Sequence, residues 1–176
     1  MDIIYRKLSR NEIEKLGEID RYEIIEEKYC FRDGNLILKK EHDKIKGWET
    51  GAENWIASLQ NNYDEGGFFY GVFRNETLVG IAALSGEFIG NEKDAIRLAT
   101  LFIDKNHRRR GIGSKLVAIL KEEALRLNAK KMYVSASESK NAVHFYMNAG
   151  FSVTAGRIDE LLDEDCPDDI HMEIVL

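Results

Sequence analysis

The stretch from Ala95 to Leu127, AIRLATLFIDKNHRRRGIGSKLVAILKEEALRL, leaves this chain few folds to choose from. Ile96, Leu98, Ala99, Leu101, Phe102 and Ile103 form a nearly continuous apolar run, the pattern of a strand covered on both faces. A polar segment follows from Asp104 to Arg110, with Arg108, Arg109 and Arg110 in a row, and then come Gly111 and Gly113. From Ile112 the period changes. Ile112, Leu116, Ile119, Leu120, Ala124 and Leu127 share one helical face, while Lys115, Lys121, Glu122 and Arg126 turn outward. Glu123 interrupts the apolar face and is expected to reach its rim, and Asn128 suits a left-handed helix stop. Strand, tight basic loop and helix in direct succession call for a sheet with helices packed against it.

The first N–H groups of such a helix have no internal acceptors, and the helix dipole places partial positive charge beside them. Glycines without Cβ let a ligand lie close to the backbone there. With three arginines alongside, the junction suits a pyrophosphate. An ordinary glycine turn with a solvated basic edge is the plainer alternative. Arginine three residues ahead of two alternating glycines, between strand and helix, favours the phosphate site.

Arg108-x-x-Gly111-x-Gly113 resembles the acyl-CoA signature of the GNAT superfamily of N-acyltransferases. Ser139–Phe151 (SKNAVHFYMNAGF) is similar to that family's later helix through Ala142, Phe145, Tyr146, Gly150 and Phe151. The order of elements fits from Phe68 to Leu176, whereas the residues before Phe68 match only loosely.

The resemblance implies a single α+β domain over residues 1–176: a mixed, mostly antiparallel twisted sheet of about six to seven strands with about four helices. It places an acyl-CoA-binding part at about 68–151 and a variable acceptor-binding part at about 11–63. Pantetheine would lie along strand 95–103 and pair with the backbone near Leu101, Phe102 and Ile103. Arg108, Arg109, Arg110, Gly111, Ile112, Gly113 and Ser114 would hold the pyrophosphate, and Ser139 would cap the later helix and reach the pantetheine arm. The 3′-phosphate is left to Lys115, Lys140 or Arg110. The implied activity is N-acetyl transfer from acetyl-CoA, as cosubstrate, to a primary amine of a small molecule or peptide, with no metal. A non-catalytic acyl-CoA sensor is the rival reading. A homodimer is left open, since relatives commonly pair through exposed sheet edges.

Aminolysis of a thioester needs a neutral amine and a protonated leaving thiol. Baring a lysine-like amine of pKa about 10.4 at pH 7 costs about 4–5 kcal/mol, and the departing thiolate, of pKa near 8.5, benefits from a nearby acid. Tyr146 is the candidate general acid within the resemblance; a core tyrosine bonded to a carbonyl is the plainer reading. The carboxylate that some relatives carry on the central strand falls at Arg97, and another family position falls at Val134. Glu87, expected just after a strand at 78–84, is the remaining candidate base, against a solvated turn residue or a water relay.

Elsewhere the patterning predicts a strand at Asp2–Ser9, a helix from Glu12 to about Lys28, and a hairpin of Tyr29–Asp33 with Asn35–Lys40. Glu41–Trp48 is ambiguous. A short helix is expected from Asn54 to about Tyr63, and strands at Phe68–Phe73, Leu78–Leu84, Lys131–Ala136, Phe151–Ala155 and His171–Leu176. An acidic loop, Asp159–Asp169, reads as a solvated charge run, or as an attraction for a polycationic amine. His107, His144 and His171 show no metal spacing, and surface or edge roles are expected for them. Trp48 and Trp55 suit either an acceptor pocket or packing.

Composition narrows the function further. Net charge of −6 argues against a general nucleic-acid surface, which weakens an RNA-binding reading of the arginine run. No apolar run reaches the roughly eighteen residues of a membrane span, and the N-terminus lacks a signal peptide's apolar stretch. Cys30 and Cys166 lie far apart without metal-ligand spacing. A reduced, cytoplasmic protein is the expectation.

Overall fold

Alternation of apolar residues produces a sheet of seven strands in the order β1-β4-β5-β6-β7-β9-β8. The strands are β1 (Ile3–Lys7), β4 (Phe68–Arg74), β5 (Thr77–Ile89), β6 (Ala95–Ile103), β7 (Lys131–Ala136), β8 (Ser152–Val153) and β9 (Ile170–Val175). A separate hairpin pairs β2 (Glu23–Arg32) with β3 (Asn35–Ile45). Three α-helices, α1 (Ala52–Asp64), α2 (Ile112–Arg126) and α3 (Lys140–Asn148), flank the sheet with a 3₁₀ helix at Arg10–Glu18; a shorter 3₁₀ turn spans Lys105–His107. This computed structural model describes residues 2–45, 47–48, 51–154 and 169–176. No helix among them is long and apolar enough to cross a membrane.

The sheet has a core on each side. Under α2 and α3, Leu84, Ile96, Leu98, Met132, Val134 and Met172 meet Leu116, Leu120, Val143 and Tyr146. Across the sheet, Ile13, Leu16 and Ile19 pack with Leu59, Phe69, Phe73, Leu78 and Ile81. Burying that much branched apolar side chain is the main favourable term in holding the layers together, at about 25 cal/mol per Å² removed from water.

The strand–loop–helix stretch, α1, β4, β7 and the Ser139 cap fall where the sequence places them. The helix expected from Glu12 to Lys28 does not form. Its apolar residues Ile13, Leu16 and Ile19 are spaced strictly by three, and they lie buried along a 3₁₀ helix, whose period eclipses i and i+3. A capping box of Ser9 and Glu12 starts it. From Glu23 the chain is extended instead, so the hairpin begins earlier and runs longer than Tyr29–Lys40, through the ambiguous residues as far as Ile45. β5 likewise runs on to Ile89, and the strand expected at Phe151–Ala155 contracts to Ser152–Val153. Of the acidic loop only Asp169 lies within the described residues; Asp159–Asp168 and Cys166 fall outside them.

Two bulges shape the centre of the sheet. β5 sets Ser85–Glu87 against Arg97 alone, and β6 carries Ala99 as an extra residue between the pairs Leu84–Leu98 and Ala83–Thr100. β6 and β7 are the sheet's parallel pair, and their pairing covers only Ala95–Lys131, Ile96–Met132 and Arg97–Tyr133. Beyond Arg97 the two strands part. The β6 edge from Leu98 to Ile103 therefore faces a gap rather than a neighbouring strand.

Candidate active site

The gap opens at the C-terminal ends of two parallel strands, where ligands bind in sheets of this kind. Leu101 and Ile103 pair with Ala82 and Gly80 of β5 on one side, and their other side fronts the gap. At its mouth the chain turns through the Lys105–His107 3₁₀ turn into α2. Asp104 caps that turn, accepting from Asn106 N–H at 2.9 Å, from Asp20 N–H at 3.0 Å and hydrogen-bonding His107 Nδ1 at 3.0 Å. Burial alone would raise the Asp104 carboxyl, but these hydrogen bonds bring it below its ordinary value. His107 is thus buried and paired, not on the surface as the sequence suggests.

Gly111 is the N-cap of α2 at φ 76°, in the left-handed region, with open space where a Cβ would stand. The first intrahelical bond runs from Lys115 N–H to Gly111 C=O at 3.0 Å. The N–H groups of Ile112, Gly113 and Ser114 therefore have no intrahelical acceptors. Gly113 serves a different need: a Cβ there would sit 3.1 Å from the Phe145 ring, so any larger residue would press that ring of α3 aside by a few tenths of an ångström. Open space, unsatisfied donors and the positive end of a helix dipole suit a diphosphate, and the unpaired β6 edge suits the amides of an extended pantetheine. The residues present fit acetyl-CoA.

Arg108 does not reach outward with its neighbours. Its Nε donates to Ile103 C=O at 3.1 Å, Nη2 to Arg21 C=O at 3.1 Å, and Nη1 pairs with Glu23 at 3.0 Å. It braces the loop against β6 and β2. Arg109, Arg110, Ser114 and Lys115 are exposed, and Lys115 Nζ lies 3.9 Å from the centroid of the Tyr5 ring. Lys140 is held by Glu27 of the hairpin. Lys121, expected outward, is half-buried on α2: its Nζ donates to Ala149 C=O, and burial lowers its pKa.

Tyr146 points into the core on α3, edge-on to Phe145 and Phe151 with ring centroids 5.1 and 5.5 Å away. Burial first, and then the charge of Asp169, push its phenol well above the ordinary value. Ser139 is buried and caps α3, accepting from Ala142 N–H at 3.2 Å. Glu87 is not in a turn after the strand; it lies within β5, exposed, in the bulge where Ser85 Oγ donates to its carbonyl at 2.9 Å. The carboxylate whose charge bears on Tyr146 is Asp169, hydrogen-bonded to Ser135 Oγ at 2.6 Å.

Sequence reasoning missed Asp169 and Ser135 as a pair. Nothing local marks them, since Asp169 closes an acidic run and only the register of β9 on β7 brings the two together. It also missed Thr100, 4% exposed, whose hydroxyl has no hydrogen-bond partner. Trp48, Trp55 and Phe102 form an aromatic corner whose rings lie 5.1–6.0 Å apart, and the Arg21 guanidinium stands 4.4 Å from the Phe102 centroid. No group of metal-ligating side chains occurs among the described residues.

The family model described as "Acetyltransferase (GNAT) domain" matches residues 39–174. No curated protein matches the chain. Solved structures do. Nourseothricin acetyltransferase superposes with a TM-score of 0.74 at 16% identity, over 99% of each chain. A putative streptothricin acetyltransferase from Bacillus anthracis, in complex with acetyl coenzyme A, gives 0.70 at 19% identity over 100% of this chain and 99% of that one. The PaiA N-acetyltransferase of Thermoplasma acidophilum, in complex with coenzyme A, gives 0.65 at 20% identity over the full length of both.

Proposed function

Because the chain belongs to the GNAT acetyltransferase family, we propose that it moves an acetyl group from acetyl-CoA to a primary amine of a small molecule or peptide. The observation that carries this reading is the conjunction of the parted β6–β7 pair with the α2 N-terminus and a buried phenol on α3. Main-chain N–H groups at Gly111–Ser114 hold the diphosphate, the β6 edge at Leu101–Ile103 receives the pantetheine, and Arg108 keeps the loop in register with both. Tyr146 supplies the proton that the departing thiolate takes up. A phenol is protonated at neutral pH even at its ordinary value of about 10, so the donor is in place before the C–S bond breaks. Acceptor choice falls to residues 11–63, whose 3₁₀ helix and α1 pack on each other and on β5 and whose β2 lies against α3 and β9.

The test is thermal stabilisation by CoA against ATP and RNA, followed by thiol release across an amine panel. Stabilisation by CoA alone, with thiol release on at least one amine, is expected. Stabilisation without release on any amine marks the acyl-CoA sensor instead. Within an active enzyme, Tyr146→Phe lowers kcat about 100-fold or more while CoA affinity stays within a factor of about two. An unchanged kcat removes the proton-donor role.

A further inference from the structure

The transferase reading leaves one step without an owner, the removal of a proton from the acceptor ammonium. β9 runs antiparallel to β7, with Ser135 opposite His171 and Ala136 opposite Ile170. Asp169 thus stands one residue past the last rung, on the strand limb that has left β6. Strand alternation sends Ile170 and Met172 into the core under α2 and α3, where both are buried, and turns Asp169 and His171 to the other face. On that face Ser135 Oγ donates to Asp169 Oδ2 at 2.6 Å, and His171 stacks on and hydrogen-bonds Tyr133.

The β6 limb shows the same face in need of partners. Among the described residues two buried polar side-chain atoms have none, Arg97 Nε and Thr100 Oγ1. They flank the Ala99 bulge. Arg97 pairs in register with Tyr133 and Thr100 with Ala83, which puts both side chains on the Ser135 and Asp169 face. Buried polar atoms are nearly always satisfied, so two orphans on one strand and one face, with Arg97 near enough for its charge to bear on Asp169, suit a polar ligand.

We propose that Asp169 is the residue that takes the proton from the acceptor ammonium, with Ser135 holding its carboxylate in place and Arg97 and Thr100 meeting the polar atoms around the amine. This rests on the transferase reading above. The ammonium gives one proton to Asp169. The bared nitrogen forms its bond to the acetyl carbon as the C–S bond breaks, and the thiolate takes the Tyr146 proton. The nitrogen's second proton restores the phenol, and Asp169 releases its own to solvent. The balance is one ammonium and one thioester in, one amide, one thiol and one proton out.

The groups around the carboxylate suit that work. Burial raises the Asp169 pKa, and Glu138 before α3 adds to this, while Ser135 of β7, His171 of β9 and Arg97 of β6 pull it down; the net shift is upward. Glu138 is itself paired with Lys28 of β2 at 3.0 Å. Tyr146 comes from α3, and the charge of Asp169 raises its pKa. A proton arriving on Asp169 removes that charge and frees the phenol to donate, so the two halves of the reaction are coupled.

The experiment compares wild type, Asp169→Asn and Ser135→Ala. CoA affinity is measured by calorimetry, and kcat/KM with ethylamine, lysine amide and spermidine, then with trifluoroethylamine, whose nitrogen is already neutral at pH 7. Asp169→Asn is expected to keep CoA affinity and to lose about 100-fold or more in kcat/KM on the ammonium acceptors, but far less on trifluoroethylamine. Carboxyl ¹³C titration of the CoA-bound enzyme gives a reading that needs no acceptor. The signal absent from Asp169→Asn titrates above the ordinary aspartate range, and rises further in Ser135→Ala because a hydrogen bond that favours the charged form is gone. An ordinary Asp169 titration, or an Asp169→Asn enzyme as fast as wild type on the ammonium acceptors, overturns the assignment and leaves the transferase reading standing. A wild type that neither binds CoA nor releases thiol defeats that earlier reading instead.

Discussion

The β6–α2 junction and the arm from Arg10 to Ile45 lie against each other, yet they are held by different means. The junction's path is set chiefly by its own residues: a left-handed Gly111, a side chain of Asp104 folded back on its own turn, and a helix that follows at once. Asp104, Lys105 and Arg108 also bond to Asp20, Arg21 and Glu23 of the arm. The arm is fixed by residues far away in sequence. Glu18 accepts from Leu78 N–H at 2.6 Å, Lys28 pairs with Glu138 at 3.0 Å, Tyr29 meets His144 at 2.9 Å, and Asn141 donates to Glu23 at 3.1 Å. A segment whose geometry is written locally is suited to a ligand that never varies. One assembled from distant contacts can change without disturbing it.

The sharpest way to break this contrast is at Gly113. Glutamate there adds a Cβ 3.1 Å from Phe145 and puts a carboxylate beside the N–H donors of the proposed diphosphate site. CoA affinity is expected to fall at least about 100-fold, about 2.7 kcal/mol, by calorimetry. Gly113→Ala carries the steric part alone, about 1 kcal/mol of overpacking, and separates it from the charge. Unaltered CoA affinity in the glutamate variant rejects the phosphate site outright.

That difference in origin also decides what the sequence reveals. The junction could be read residue by residue because apolar period, glycine and cap sit within one window, and Asn128 does adopt the left-handed stop, at φ 64°. The arm misled because Ile13, Leu16 and Ile19 satisfy a helical period for two turns, while the reason to stop lies elsewhere: Glu23 is claimed by Arg108 and Asn141, and Tyr29 N–H by Glu138 C=O at 2.7 Å. The site divides in the same way. Gly111, Gly113 and the Ser139 cap are legible from spacing and capping, Tyr146 is singled out only by the family resemblance, and Arg108 is legible by position but not by the direction it takes. Asp169 is hidden, since its meaning comes from a register across 34 residues.

Arg108 joins the two regions, as Asp104 and Lys105 also do through Asp20, and because it makes three hydrogen bonds its loss is the next largest effect. Arg108→Ala removes hydrogen bonds to Ile103 and Arg21 and the ion pair with Glu23. About 1–3 kcal/mol of stability is expected to go, with a clear fall in Tm and a weaker CoA affinity. Arg109→Ala and Arg110→Ala, which touch solvent, change Tm little. Equal effects from all three would mean that the loop is held by charge alone, and the contrast with the arm would fail.

Lys28 probes the arm by itself. It is half-sheltered, bound to Asp43 and Glu138 at 3.0 Å each; burial would lower its pKa, but these carboxylates raise it beyond the ordinary lysine value. Lys28→Met keeps the stem and leaves the acids unpaired, at a cost of about 1 kcal/mol. Proteolysis within β2–β3 is expected to quicken while CoA affinity holds. A matching loss of CoA affinity would show that the two regions are not separable.

The smallest effect concerns the start of the arm, and here pH supplies the lever. Arg6 Nη1 and Nη2 donate to Glu12 at 2.9 and 2.5 Å, and Ser9 N–H at 3.0 Å completes the capping box. The Arg6 hydrogen bond first, and then that of the Ser9 backbone, hold the Glu12 carboxyl down to about 2. A carboxyl lowered on folding contributes stability that is complete above its unfolded value, about 4.3, and that drains away as pH falls toward 2. Because the pair is partly solvated, the contribution is a modest one. Glu12→Gln should therefore flatten the acid side of the stability curve between about pH 4.5 and 2 and leave the neutral side parallel to wild type. Urea melts at pH 3 and pH 7 check this. If the two proteins lose stability in parallel through that window, the 3₁₀ helix is held by its buried isoleucines and leucine alone, and its capping box adds nothing to the arm.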